Sequence, residues 1–184
     1  QEHGVLDDTL VVLTSDHGYH LGWRGQWCKH SIDEQVMRVP LVVRHPRGPR
    51  GVRATGIVEL LDLFPTFCDA AEVAAPEGLD GLSFLPLVMN PDAPGKPGGY
   101  CRWGNGRTVR TMRWRYVERN DGSCELYDHA VDEAEYFSVA DRPENEQVVR
   151  EHAEMLTGVF GPLPPARRNG IRHDSASAAQ RAEE

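Results

Sequence analysis

The chain has 184 residues, 40% of them apolar and 26% charged, the balance of a globular domain with a core of ordinary size. Twenty basic residues against 28 acidic ones give a net charge of −8, which argues against nucleic acid as a partner of the general surface. No apolar run approaches the ~20 residues that a membrane span requires.

In chain order, Thr9 to Thr14 is β-branched and continuously apolar, the pattern of a strand buried on both faces. Val39 to Arg44 repeats it, with Pro40 near its start, where a missing N–H is tolerable. Between them, Ser31 to Arg38 predicts a short helical turn carrying Asp33 and Glu34. His45 to Ala54 holds two prolines and two glycines among basic residues and reads as a surface loop. Gly56 to Ala71 looks helical but contains Pro65, so an entry segment through Leu63 and a helix starting near the proline are expected. Pro76 to Asn90 is turn-rich, and the proline- and glycine-dense stretch Pro91 to Gly99 predicts a subdomain boundary, dividing the chain into 1–95 and 96–161.

From Tyr100 the periodicity changes to two. Tyr100 to Trp103, Arg107 to Thr111, Trp114 to Arg119 and Cys124 to Tyr127 predict an antiparallel meander of three or four strands, with Asn120-Asp121-Gly122 as a hairpin turn. Asn145 to Phe160 spaces its apolar residues for an amphipathic helix. Residues 162–184 lack periodicity and bulk and are expected to be disordered. The four cysteines, Cys28, Cys68, Cys101 and Cys124, are widely spaced. They are read as reduced, partly buried thiols rather than zinc ligands. Trp23, Trp27, Trp103 and Trp114 are read as packing residues rather than a sugar-stacking platform, and His20 and His30 as hydrogen-bonded loop histidines.

Chemistry is legible in one stretch, LVVLTSDHGYHLGWRGQWCK, from Leu10 to Lys29. An apolar strand stops on Asp16 and His17, two adjacent metal-ligating side chains, and a glycine-rich loop then carries Lys29. In open parallel α/β sheets the carboxyl ends of strands are where ligands bind. A doubly wound sheet needs more parallel strands than the two visible here, so the sequence is expected to be the second part of a larger unit.

Six motifs in order, TLVVLTSDHGYHLG, GQWCKHS, RVPLVVRHP, VELLDLFPTFCDAA, PEGLDGLSFLPLV and RTVRTMRWRYVE with ELYDH, resemble the C-terminal half of a type I sulfatase of the alkaline phosphatase superfamily. They are most similar to the iduronate-2-sulfatase-like branch. The resemblance implies the C-terminal part of an α/β sandwich, with a small antiparallel sheet and a closing helix. It implies hydrolysis of sulfate monoesters by a formylglycine made from Cys or Ser in Cys/Ser-x-Pro-x-Arg, with a divalent cation held by two upstream acids and a downstream Asp-His pair. Asp16 and His17 match that pair, and Lys29 matches the lysine that contacts the sulfate and the leaving-group oxygen.

The formylglycine motif is absent from these 184 residues, as is the upstream acid pair. The chain alone is therefore expected to be inactive, with the N-terminal half as its missing partner. Calcium is the expected cation by resemblance; on ligand chemistry alone, His17 leans toward manganese. The expected substrate is a small-molecule or saccharide sulfate ester. Phosphonate monoester or phosphodiester hydrolysis on the same scaffold, and a non-catalytic remnant, are the alternatives. Gly22-Trp23-Arg24-Gly25 departs from the usual Gly-Glu-His-Gly, which suggests altered substrate contacts or relaxed selection. Glu135 to Ala140 lacks the usual asparagine.

Overall fold

A computed structural model describes residues 4–163. The expected tail falls, from residue 164 on, outside the described residues. The architecture is mixed α/β, with antiparallel sheets and a C-terminal helix. Strand β1 (Val11–Thr14) pairs with β4 (Leu41–Arg44), and a hairpin of β2 (His20–Leu21) and β3 (Trp27–Cys28) lies between them in sequence, followed by helix α1 (Glu34–Met37). Helices α2 (Leu63–Ala70) and α3 (Leu85–Met89) come next. Strands β5 (Gly99–Trp103), β6 (Gly106–Arg110), β7 (Trp114–Arg119) and β8 (Cys124–Asp128) then form a sheet in that order, and α4 (Glu146–Phe160) packs over it.

The meander and its helix form where the period-two and helical patterns place them. The turn between β7 and β8 is made by Gly122 in the left-handed region (φ 86°) and by Asp121, whose carboxylate accepts from the Ser123 N–H at 2.9 Å. The early strands correct the expectation. The β1–β4 pair is antiparallel, with Thr14 opposite Leu41 and Val11 opposite Arg44, and Val11, Leu13 and Val42 are exposed rather than buried on both faces. β1 thus finds a partner within the chain, but the described residues do not cover the apolar face of either strand. β4 begins one residue after Pro40, which has no N–H to give to the ladder.

The helical segments are also redrawn. A 3₁₀ turn at Leu60–Asp62 runs directly into α2, which starts at Leu63 and keeps Pro65 in its first turn, where the missing N–H breaks no intrahelical bond. α3 forms inside the stretch read as turns. Ser83 Oγ accepts from the Leu85 N–H at 3.2 Å, Pro86 lies in the first turn, and Thr66 Oγ1 accepts from the Phe84 N–H at 2.9 Å. Among the described residues no helix is long and apolar enough to cross a membrane. The four cysteines are free thiols; Cys28 is exposed, and the other three are half-buried.

The sheet β5–β8 has two different faces. On one, Val109, Tyr116 and Leu126 pack with Val139 and Leu156 under α4. Cross-strand register carries the alternate positions Thr108, Arg110, Arg115 and Tyr127 to the other face. That face is charged and buried: Arg115 is 1% exposed and pairs bidentately with Glu135, at 2.5 and 2.6 Å. The same guanidinium donates to the Ile32 carbonyl at 2.9 Å, and His129 Nε2 lies 2.8 Å from the Glu135 carboxylate.

Burial by itself pushes the Glu135 carboxyl up, but the bonds from His129 and Arg115 outweigh it and hold the group below the ordinary glutamate value. A carboxylate depressed in this way stabilises the fold fully above its unfolded pKa of about 4.3, and the contribution is lost as pH falls through the lower folded value. Glu135→Gln leaves Arg115 buried against a neutral partner. It is expected to cost about 3–5 kcal/mol in urea unfolding at pH 7 and to flatten the loss of stability below pH ~4.3; equal acid limbs for the two proteins would contradict the assignment.

Candidate active site

Beyond Thr14 the chain turns sharply, and polar groups in the turn are satisfied locally. Ser15 Oγ donates to the His17 carbonyl at 2.8 Å, and Asp16 Oδ1 accepts from the His17 N–H at 3.1 Å. Gly18 donates its N–H to the Val36 carbonyl at 2.7 Å. A Cβ on Gly18 would lie 1.9 Å from the Gln35 carbonyl oxygen, so the glycine of Asp-His-Gly is the residue that lets this turn lie against α1.

His17 Nδ1 lies 2.7 Å from the Gly18 carbonyl. A carbonyl only accepts, so Nδ1 carries a proton, and in the neutral ring the lone pair is on Nε2. This is the orientation in which a histidine ligates metal, with its other ring nitrogen held by a backbone carbonyl. Asp16 Oδ2 lies 3.4 Å from Nε2. Two ligand atoms at roughly 2.0–2.4 Å from one ion and near right angles are about 3 Å apart, so this donor pair fits one divalent cation. Lys29 Nζ lies 2.6 Å from the same Nε2: a positive group already meets the histidine donor. All three residues predicted from sequence therefore meet, in the wall of a cleft of about 1020 Å³.

Lys29 reaches this point because the β2–β3 hairpin is fixed from below. Just beyond it, Ser31 donates its N–H to the Lys29 carbonyl at 2.8 Å, while Ser31 Oγ lies 2.8 Å from His20 Nε2 and accepts from the Asp33 N–H at 3.2 Å. His20, read as a loop histidine, is a buried anchor, with Asp33 Oδ2 at 3.3 Å. Cys28, just before Lys29, takes a left-handed conformation (φ 72°) that turns the chain into the cleft.

The departure Gly22-Trp23-Arg24-Gly25 has a structural account. Trp23 stacks on His20 with ring centroids 5.6 Å apart and donates its indole N–H to the Ala134 carbonyl at 3.0 Å. Arg24 reaches the Tyr127 hydroxyl at 3.2 Å and the Tyr136 carbonyl at 3.0 Å, and it also bonds the Glu135 carbonyl. Neither residue lines the cleft; together they fasten the hairpin tip to the segment that carries Glu135.

The Arg115–Glu135–His129 network was not recognised from sequence. It left no local signal: Arg115 occupies an ordinary polar position in the alternating strand Trp114–Arg119, and its acidic partner lies 20 residues further on. Glu34, His129 and Glu135 bring ligand atoms within 4.8 Å of one another. Both Glu135 oxygens are nevertheless committed to Arg115, so a guanidinium takes the place a metal would need.

The Sulfatase family model matches residues 1–73. A sulfatase of Formosa agariphila is 30% identical over 134 residues, covering 72% of this chain and 26% of that protein. A solved structure of BT4656 in complex with its substrate D-glucosamine-2-N,6-O-disulfate superposes with a TM-score of 0.79 at 26% identity, over 85% of this chain and 35% of that one. The phosphonate monoester hydrolase of Agrobacterium radiobacter gives 0.76 at 25% identity, over 85% and 36%. These likenesses place the fold in the alkaline phosphatase superfamily. The chain belongs to its sulfatase family and carries the C-terminal region of that fold. It spans about a quarter of the length of the Formosa protein and about a third of the two solved chains.

Proposed function

We propose that this chain supplies the cation pair and the leaving-group lysine of a metal-dependent sulfatase acting on sulfate monoesters. The observation that supports it most is the convergence of Lys29, at 2.6 Å, and Asp16, at 3.4 Å, on the His17 ring in the cleft wall. Asp16 offers a hard carboxylate oxygen and His17 an oriented imidazole nitrogen. Calcium is the first candidate and manganese the second. Two donors are only part of the six to eight ligands that calcium takes, so further ligands would come from outside these 184 residues, as would the formylglycine. A bound cation would polarise the sulfate oxygens and favour ionisation of the attacking hydroxyl.

The chain's own contribution to the reaction is charge and position. Attack at sulfur pushes negative charge onto the leaving oxygen, and a fixed ammonium there stabilises the transition state more than the ground state. The Lys29 side chain is exposed to the cleft, while its backbone is fixed through Ser31 and His20. In this reading Nζ exchanges the His17 ring for the sulfate, holds the leaving oxygen and passes it a proton.

Family membership makes a sulfate ester the first substrate. A saccharide sulfate fits the likeness to BT4656, whose substrate is D-glucosamine-2-N,6-O-disulfate. A phosphonate monoester is the second reading, favoured by the likeness to the Agrobacterium radiobacter hydrolase. Sulfuryl and phosphoryl groups are alike in size and geometry. Turnover of an aryl sulfate against a phenyl phosphonate ester, by the enzyme completed with an N-terminal region, ranks the two.

In that completed enzyme Lys29→Ala is expected to lower turnover by ~10²–10³, and near-normal activity would remove Lys29 from the mechanism. The 184 residues alone should hydrolyse aryl sulfate no faster than buffer. Mn²⁺ at substoichiometric concentration should broaden the His17 ring signals in NMR, with Ca²⁺ competing and Asp16→Asn weakening the effect. Selective broadening elsewhere would move the cation site.

A further inference from the structure

The four tryptophans, grouped together as packing residues by sequence, separate in the structure. Trp23 is held against His20 and the Ala134 carbonyl, and Trp114 packs against the core under α4. Trp27 is 67% exposed on the hairpin and lies outside the cleft. Trp103 alone among the tryptophans lines the cleft that holds Asp16, His17 and Lys29, and it is 54% exposed.

Its position is fixed by the backbone around it. Trp103 ends β5 opposite Gly106, and the two-residue turn Gly104-Asn105 has Gly104 in the left-handed region (φ 57°). A Cβ on Gly106 would lie 2.7 Å from Ile32 Cδ1, so the glycine seats this hairpin against the segment that follows Lys29. There Trp103 stacks with His30, the residue next to Lys29, at 5.8 Å between centroids and 28° between planes. One indole face is backed by imidazole, and the remaining exposure belongs to the open side. The chain neighbours of the two rings are polar or small, Lys29 and Ser31 beside His30 and Arg102, Gly104 and Asn105 beside Trp103, while other parts of the cleft wall carry apolar side chains such as Ile57, Leu60 and Met112. Arg53, an exposed cation with no carboxylate partner among the described residues, lines the same cleft.

We infer that Trp103, backed by His30, is the platform for the sugar ring that carries the sulfate, and that it makes the site selective for pyranoside sulfates over aryl sulfates. A pyranose offers one apolar C–H face to an aromatic plane and turns its hydroxyls to polar neighbours. An aryl ring gains most when sandwiched between two apolar faces, and one face of Trp103 is already taken by His30. Arg53 faces the cleft as a partner for a second anionic group on the sugar. This assignment rests on the reading of Lys29 as the sulfate contact, but the two fail separately.

The test titrates the enzyme completed with an N-terminal region whose formylglycine position is changed to alanine, with Ca²⁺ present, against a methyl hexopyranoside sulfate, the same glycoside without sulfate, inorganic sulfate and an aryl sulfate. Affinities are read by calorimetry in every variant, and contact with the platform by the indole N–H signal of Trp103 in the protein that retains it, assigned with Trp103→Phe. The pyranoside sulfate is expected to shift that signal and to bind about tenfold or more tighter than inorganic sulfate. Trp103→Ala should bring its affinity down to that of inorganic sulfate without altering sulfate binding. Lys29→Ala should weaken both sulfated probes and inorganic sulfate. Equal affinity of Trp103→Ala and wild type for the pyranoside sulfate, or tighter binding of the aryl sulfate, overturns the platform while leaving Lys29 intact. Binding of the sulfated and unsulfated glycosides with the same affinity, indifferent to Lys29→Ala, keeps the platform and overturns the sulfate contact. Absence of binding by every probe overturns both.

Discussion

A bidentate ion pair between Arg115 and Glu135 lies on the charged face of the C-terminal sheet, and from it bonds run outward to the segments that carry chemistry. Arg115 holds the Ile32 carbonyl, just beyond Lys29 in the chain. Arg24 holds the carbonyls of Glu135 and Tyr136, so the tip of the Lys29 hairpin is tied to the same spot. A buried pair of this kind contributes little net stability compared with an apolar replacement, because desolvation offsets most of the Coulomb gain. What it supplies is direction. Guanidinium and carboxylate satisfy each other in one geometry, whereas an apolar contact would let the hairpin slide.

That difference explains why the sheet is two-faced. Under α4 the packing of Val109, Tyr116, Leu126 and Leu156 is non-directional, and it suffices to hold a helix whose rotation carries no chemistry. On the other face, in the role proposed for Lys29, a shift of about 1 Å would matter, since catalytic groups lose much of their effect when misplaced by that amount. The Trp23–Arg24 departure acts in the same way. Stacking of Trp23 on His20 and of Arg24 over Trp23, at 4.5 Å from the ring centroid, adds a rigid planar layer between hairpin and sheet.

Much of this was legible in the sequence, for identifiable reasons. The meander from Tyr100 announces itself by alternation, and α4 by helical spacing, because each buries one face against the other within the chain. Asp16, His17 and Lys29 stood out together in the sequence because two side chains able to ligate a metal follow a strand and a lysine closes the next loop; the structure brings Asp16 and Lys29 to the His17 ring. The strands β1 and β4 misled for a physical reason. Their continuous apolar pattern is that of strands buried on both faces, yet Val11, Leu13 and Val42 are exposed among the described residues. Pattern reports the burial a strand is built for, while the antiparallel pairing of β1 with β4 was not encoded in it. Helix α3 was hidden because the Thr66 hydroxyl that holds the Phe84 N–H comes from 18 residues earlier in the chain, and only folding brings the two together.

The contact between Lys29 and His17 shows how the local turn and the cleft depend on each other. An ammonium 2.6 Å from an imidazole nitrogen is a strong contact when that nitrogen presents a lone pair, and in the neutral ring the Gly18 carbonyl selects the tautomer that does so, with the proton on Nδ1. The same lone pair is the one His17 would offer a metal. Lys29 and a cation therefore claim one atom, and the ammonium is free for an anion in the cleft only when the ring has another partner. Such an exchange asks for rotation of the Lys29 side chain alone. The backbone that Arg115 and Glu135 hold in place need not move.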